Sequence, residues 1–167
     1  MRLLRQYLHG PELTLAQALM FLRLVFVLLF AGQLLVALLT GIMLRLAVPG
    51  AGGGGNPLIG WVLLAISLPH LPLVLWLSSR GVRALDRGAS LSATILAGVL
   101  LSTPGWFLSL ALVTGQPLLQ LGLLLALIML QYGLGMMLCG RFARLVIPKP
   151  QEPDSAAPEV GAGVDQQ

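Results

Sequence analysis

The sequence predicts an all-α, polytopic integral membrane protein, a four-helix transmembrane bundle with both termini in the cytoplasm. Three observations carry that prediction. First, 57% of the 167 residues are hydrophobic and only 10% are charged, against roughly 45–50% and about 25% in soluble domains. Second, four long uncharged stretches each have the roughly 20 residues needed to cross a hydrocarbon core as helix. Third, nine of the ten basic residues fall on one side of those stretches.

Residues 1–12 form an N-terminal interfacial segment. Arg2, Arg5 and His9 recur at helical spacing, with Leu4, Tyr7 and Leu8 opposite them. That basic amphipathic pattern suits the headgroup region. Gly10-Pro11-Glu12 breaks the chain and starts the first long helix, where proline fits the first turn and Glu12 meets the positive end of the dipole. The membrane domain covers residues 13–147.

The first span is 24–44, the 21 uncharged residues between Arg23 and Arg45. It is too long for the h-region of a cleaved leader. The run from Pro49 to Pro57, with five glycines at 50 and 52–55, is a flexible connector and lacks the Lys-Ser/Thr of a phosphate-binding loop. The second span is 58–79. The charged loop at 80–88 follows, and Ser90 is placed to cap the third span, 91–114. A short turn, Gly115-Gln116-Pro117, leads to the fourth, 118–140. Residues 148–167, rich in proline, alanine, glycine and acids, read as a disordered tail.

Arg2, Arg5 and Arg23 mark one side. Arg80, Arg83, Arg87, Arg141, Arg144 and Lys149 return to it, and Arg45 alone lies opposite. By the positive-inside rule that side is cytoplasmic, in a bacterial-type inner membrane. The net charge of +4 therefore orients the chain. It forms no basic face for nucleic acid.

Counting from the arginines gives depth. Gln33 stands ten residues beyond Arg23, His70 ten before Arg80 and Gln131 ten before Arg141. At about 1.5 Å per residue, each lies about 15 Å deep, at the bilayer centre. Ser67 shares a face with His70, and Ser102 and Thr103 lie somewhat further out. Pro69, Pro72 and Pro104 withhold helical N–H groups and so free the carbonyls of Ala65, Leu68 and Leu100. Polar side chains beside broken helices are how transporters build midplane sites. The same Gln, Ser and Thr residues also serve as interhelical packing contacts.

Small residues recur on one face of each helix: Gln33, Ala37 and Gly41; Gly60, Ser67 and His70; Ser90, Thr94, Gly98 and Ser102; Gly122, Ala126, Met129, Gly133 and Gly140. Such stripes mark close helix approach. His70 and Gln131 also precede Arg-x-x-Arg pairs at equal distance, a faint sign of duplication.

No acidic residue lies within a span, which argues against a proton-carrying ring subunit or an exporter coupled through a buried carboxylate. No Ser/His/Asp set is visible, so no enzyme is expected. Two histidines and one cysteine fall short of a zinc site, and no cofactor is called for. Cys139 reads as a small packing residue.

Two functions remain. One is an accessory, assembly or scaffold subunit of a membrane complex. The other is a small-solute or proton-linked transporter or channel, working as an oligomer through a mid-membrane polar site around His70. Both imply membrane lipids and a homo-oligomer or larger complex as partners.

Overall fold

A computed structural model describes residues 2–9, 13–48, 56–81 and 87–147. The described residues form seven helices: α1 (Arg2–His9), α2 (Leu15–Ala47), α3 (Pro57–Ser67), α4 (His70–Gly81), α5 (Arg87–Ser102), α6 (Pro104–Val113) and α7 (Leu118–Val146). Four units are long and apolar enough to span a bilayer: α2, α3 with α4, α5 with α6, and α7. The protein is an all-α, polytopic membrane bundle. The glycine-rich connector at 49–55, Arg83 with the 82–86 loop, and the tail from 148 lie outside the described residues.

The first long helix begins later than the proline break suggests. Leu13 and Thr14 are not helical, and Thr14 is the N-cap. Its hydroxyl accepts the Gln17 N–H at 3.3 Å, and the Gln17 side-chain oxygen accepts the Thr14 N–H at 3.2 Å. This reciprocal pair is a capping box. Ser90 likewise is no cap. α5 starts at Arg87, and the Ser90 hydroxyl donates back to the Arg87 carbonyl at 2.9 Å. Tyr7, on α1, donates to Ser90 Oγ and stacks on Phe21 at 4.7 Å between ring centroids. The N-terminal segment is thus pinned by one buried tyrosine, and Arg87 donates to the Tyr7 carbonyl at 3.3 Å.

Span direction follows from which residues meet. Leu29 lies against Gly98, Gln33 bonds Ser102, and Ser109 lies against Gly41, so α2 and α5–α6 run side by side in the same direction. Cys139 meets the Leu22 carbonyl and Phe26 packs into Gly135, so α7 runs opposite to α2. Gln120 meets both Pro57 and Gly60, and Trp61, Leu64 and Leu68 face Leu123, Leu127 and Leu130, so α3 runs parallel to α7. The bundle alternates up, down, up, down. Spans one, three and four form its centre. The second span packs outside them, α3 on α6 and α7, and α4 on α5.

The core is apolar and aromatic. Leu22, Phe26, Leu101, Leu124, Ile128 and Phe142 are fully buried. Phe26, Phe30 and Tyr132 form a ring cluster with centroids 5.5–6.0 Å apart. Many large apolar side chains point outward, Met20 at 74% and Met137 at 76% exposure among them. That inside-out surface is what lipid solvates.

The small-residue stripes of the first and third spans are buried: Ala37, Gly41, Ser90, Thr94, Gly98 and Ser102 all lie in interfaces. The stripe of the fourth span is not. Ala126 and Met129 are exposed, and a Cβ added to Gly122, Gly133 or Gly140 would meet nothing within 4 Å. On α7 the glycine that lets a neighbour close in is Gly135, where Phe26 occupies the space a Cβ needs.

Gly135→Ala therefore overpacks the Phe26 contact and should lower stability by about 1–3 kcal/mol. Gly133→Ala, two residues away, should be neutral or slightly stabilising. Unfolding in mixed detergent micelles checks the pair. Equal losses would place Phe26 elsewhere.

Candidate functional site

The mid-depth polar residues are positioned by three local devices. On α3, the Ser67 hydroxyl turns back to the Leu63 carbonyl at 2.7 Å and is fully buried. The helix then breaks at Leu68-Pro69. Pro69 cannot donate, and Pro72 leaves Leu68 O without its usual partner. The Leu71 N–H, three residues on, takes that carbonyl at 3.2 Å, and the Leu73 N–H takes Pro69 O at 3.1 Å. The chain tightens by a 3₁₀ step and resumes as α4.

His70 opens α4. Its Nδ1 lies 3.1 Å from the Ile66 carbonyl, so the tautomer with a proton on Nδ1 closes that bond. Its ring meets Phe107 edge-on at 6.3 Å, and the residue is half-buried. Neither Gln33 nor Gln131 supplies it with a hydrogen bond among the described residues.

The break between α5 and α6 repeats the device. Pro104 leaves Leu100 O free, and the Thr103 N–H accepts the role of donor to it at 3.3 Å. Thr103 Oγ1 donates to Val99 O at 3.2 Å, and Ser102 Oγ donates to the same carbonyl at 2.9 Å. Two of the three carbonyls expected to lie open for a ligand, Leu68 and Leu100, are thus reclaimed within one turn.

One pair of the predicted belt does meet. Gln33 on α2 bonds Ser102 on α5. Ser102 Oγ faces both Gln33 Oε1 and the Val99 carbonyl with a single proton; a half-turn of the Gln33 amide would offer its NH₂ to Ser102 Oγ and satisfy both contacts. Gln131 stands alone. It is fully buried on α7, and neither its oxygen nor its nitrogen has a partner among the described residues. The register set by Leu22–Cys139 and Phe26–Gly135 puts it level with Phe30, within the aromatic core.

The arginines gather at the end of the bundle that holds both α1 and the last turn of α7. Arg23, Arg141 and Arg144 are exposed there. Arg80 lies in the last turns of α4.

A second polar cluster, at the opposite end, has no counterpart in the sequence reading. α6 closes in a Schellman-type turn: Gln116 N–H donates to Ala111 O at 3.0 Å, and Gly115 supplies the left-handed residue with φ 67°. Gln116 Nε2 then donates to Thr114 Oγ1 at 3.1 Å, and Gln120 Nε2 to Pro57 O at 2.9 Å. Both amide oxygens are buried without a donor, and Gln120 Oε1 sits where a side chain on Gly60 would stand. Arg45 donates to the Leu112 carbonyl at 3.1 Å beside them. The signal was present as Gln116 and Gln120, one helical turn apart at the head of the fourth span.

No known relative identifies the chain. Compared with family models, with curated proteins and with solved structures, it has no match in any of the three. The arrangement itself must carry the reading. It offers hydrogen bonds that are mostly spent, an apolar groove of about 480 Å³ between α3 and α7, lined by residues including Trp61, Ala65 and Leu127, and a half-buried imidazole.

Two outcomes test this description. Gln33→Leu and Ser102→Ala should each cost little, with a coupling of about 0.6–1.7 kcal/mol in a double-mutant cycle. Gln131→Leu should raise stability by about 1–3 kcal/mol, since it removes an unpaired buried amide of similar size. A loss of that magnitude in the same unfolding assay would mean that the amide is bonded.

Proposed function

We propose that the protein is an accessory, assembly or scaffold subunit of a membrane complex. It lies in a bacterial-type inner membrane with both termini in the cytoplasm, as nine basic residues against one suggest. The observation that carries the reading is the outward face of α7. Gly122 and Gly133 are exposed there with nothing within 4 Å of a Cβ added to either, while Ala126 between them lines the groove shared with α3. Exposed glycines on one helix let another backbone approach, and among the described residues no helix meets Gly122 or Gly133. A transmembrane helix of a partner subunit fits that face. The interior supports the same view, because aromatic and aliphatic side chains fill it and most belt hydroxyls close on their own helix.

A second reading rests on one feature. The second span breaks at Leu68-Pro69, and half-buried His70 stands there at the head of α4. A small-solute or proton-linked carrier, completed by a second copy, would use that position.

Cross-linking in intact membranes separates these readings. With Gly133→Cys in a Cys139→Ala background, a short bifunctional reagent should give one product of defined mass. Leu28→Cys, at a similarly exposed site on α2, should give none. A product equal to two copies of the chain would make the partner a second copy. No product, or the same products from both positions, would remove the scaffold reading. For the carrier, His70→Ala should abolish flux in proteoliposomes while the bundle still unfolds cooperatively. Flux unaltered by that change would exclude His70 as its site.

A further inference from the structure

Arg23 and Arg45 bracket the first span, and the structure treats them differently. The 21 uncharged residues between them rise about 31 Å, close to one hydrocarbon thickness. Each guanidinium therefore stands at headgroup level, at opposite faces of the bilayer. Arg45 is spent on the Leu112 carbonyl. Arg23 is exposed and makes no hydrogen bond or ion pair among the described residues. All six acidic residues of the chain lie outside the described residues, so none of those that pack around Arg23 balances its charge.

Arg23 also heads a groove. A recess of about 370 Å³ runs along α2, lined by Leu19, Met20, Arg23, Leu24 and Val27. Leu24 and Val27 continue from Arg23 toward the bilayer centre, on the side an acyl chain would occupy. Exposed Arg141 and Arg144 belong to the same end of the bundle and keep the local field positive.

We propose that this groove binds a phospholipid of net negative headgroup. The Arg23 guanidinium donates to the lipid phosphate, and an acyl chain lies along Leu24 and Val27. A guanidinium offers a fork of donors that matches phosphate oxygens. A zwitterionic lipid carries its own ammonium beside the phosphate and gains less from the arginine. The inference needs only the membrane fold and is independent of the scaffold reading.

The test uses the full chain in detergent, with phosphatidylglycerol or phosphatidylcholine added and bound lipid counted by native mass spectrometry. The wild type should retain phosphatidylglycerol over phosphatidylcholine by about fivefold, the value of one basic residue near an anionic surface. Arg23→Gln should erase the preference, and Arg23→Lys should keep part of it. Val27→Trp should lower retention of both lipids by filling the groove with the charge intact. Arg144→Gln, an exposed arginine of the same end, should leave the preference in place. Because Arg23 is exposed, its variants should unfold like the wild type, and that is measured alongside. The proposal is overturned if Arg23→Gln and Arg144→Gln behave alike, or if millimolar inorganic phosphate displaces the lipid. It is equally overturned if deleting residues 150–167 raises retention several-fold, which would assign Arg23 to the acidic tail.

Discussion

Lipid offers no hydrogen bonds, and the rest of this structure follows from that. A polar group left open in hydrocarbon costs several kcal/mol, so a chain that breaks three of its membrane helices' hydrogen bonds with prolines must repair them from within. It does so over the shortest distance available. At Leu68 and at Leu100 the orphaned carbonyl is taken by the N–H three residues later. Hydroxyls do the same work one turn back: Thr40 to Val36, Ser67 to Leu63, Thr94 to Ser90 and Thr114 to Leu110. The polar side chains that look like a site are in large part the means by which two kinked spans remain compatible with a bilayer.

With polar groups spent locally, packing has to hold the helices together. Water-driven burial gives little here, because lipid tails solvate leucine as well as another helix does. Close approach matters instead. Phe26 enters the gap at Gly135, Leu29 lies over Gly98, Leu34 over Gly105, and Ser109 against Gly41. Each contact ties α2 to a different part of α5, α6 or α7, which is why the first span, third span and fourth span form one unit. Among the described residues, the second span shares only the Gly60 contact with α7 in this way, and it carries the break at its middle. It is the span least bound to the others.

Depth was legible in the sequence; azimuth was not. Counting from Arg23, Arg80 and Arg141 gives one coordinate, the position along the membrane normal. Which way a side chain turns at that depth depends on which helix faces it, and that depends on packing between spans. So Gln33 and Ser102 do meet, while His70 turns to Phe107 and Gln131 enters the aromatic core without a partner among the described residues. The same limit explains the fourth span, where a periodic row of small residues said that something approaches but not from which side. Helix starts failed for a different reason. Proline at 11 and serine at 90 were plausible signals, but the capping box Thr14-x-x-Gln17 and the Tyr7–Ser90 bond draw on pairs of residues, and single-residue preferences do not see pairs.

The unspent hydrogen bonds are not scattered. Gln33 is satisfied across the α2–α5 interface, yet the three glutamines with unpaired buried atoms, Gln116, Gln120 and Gln131, all belong to α7 or to the turn that opens it. Two of the three have one end of the amide fixed by a good donor contact, to Thr114 and to Pro57, so a flip would exchange one unpaired atom for another. α7 is also the one unbroken span after the first, 29 residues with no internal proline, and Gly122, Gly133 and Gly140 on it have open space beside them while Gly135 faces Phe26. α7 thus differs from the two proline-broken spans, whose polar groups close on their own helices: it runs uninterrupted and keeps buried amide atoms unpaired among the described residues.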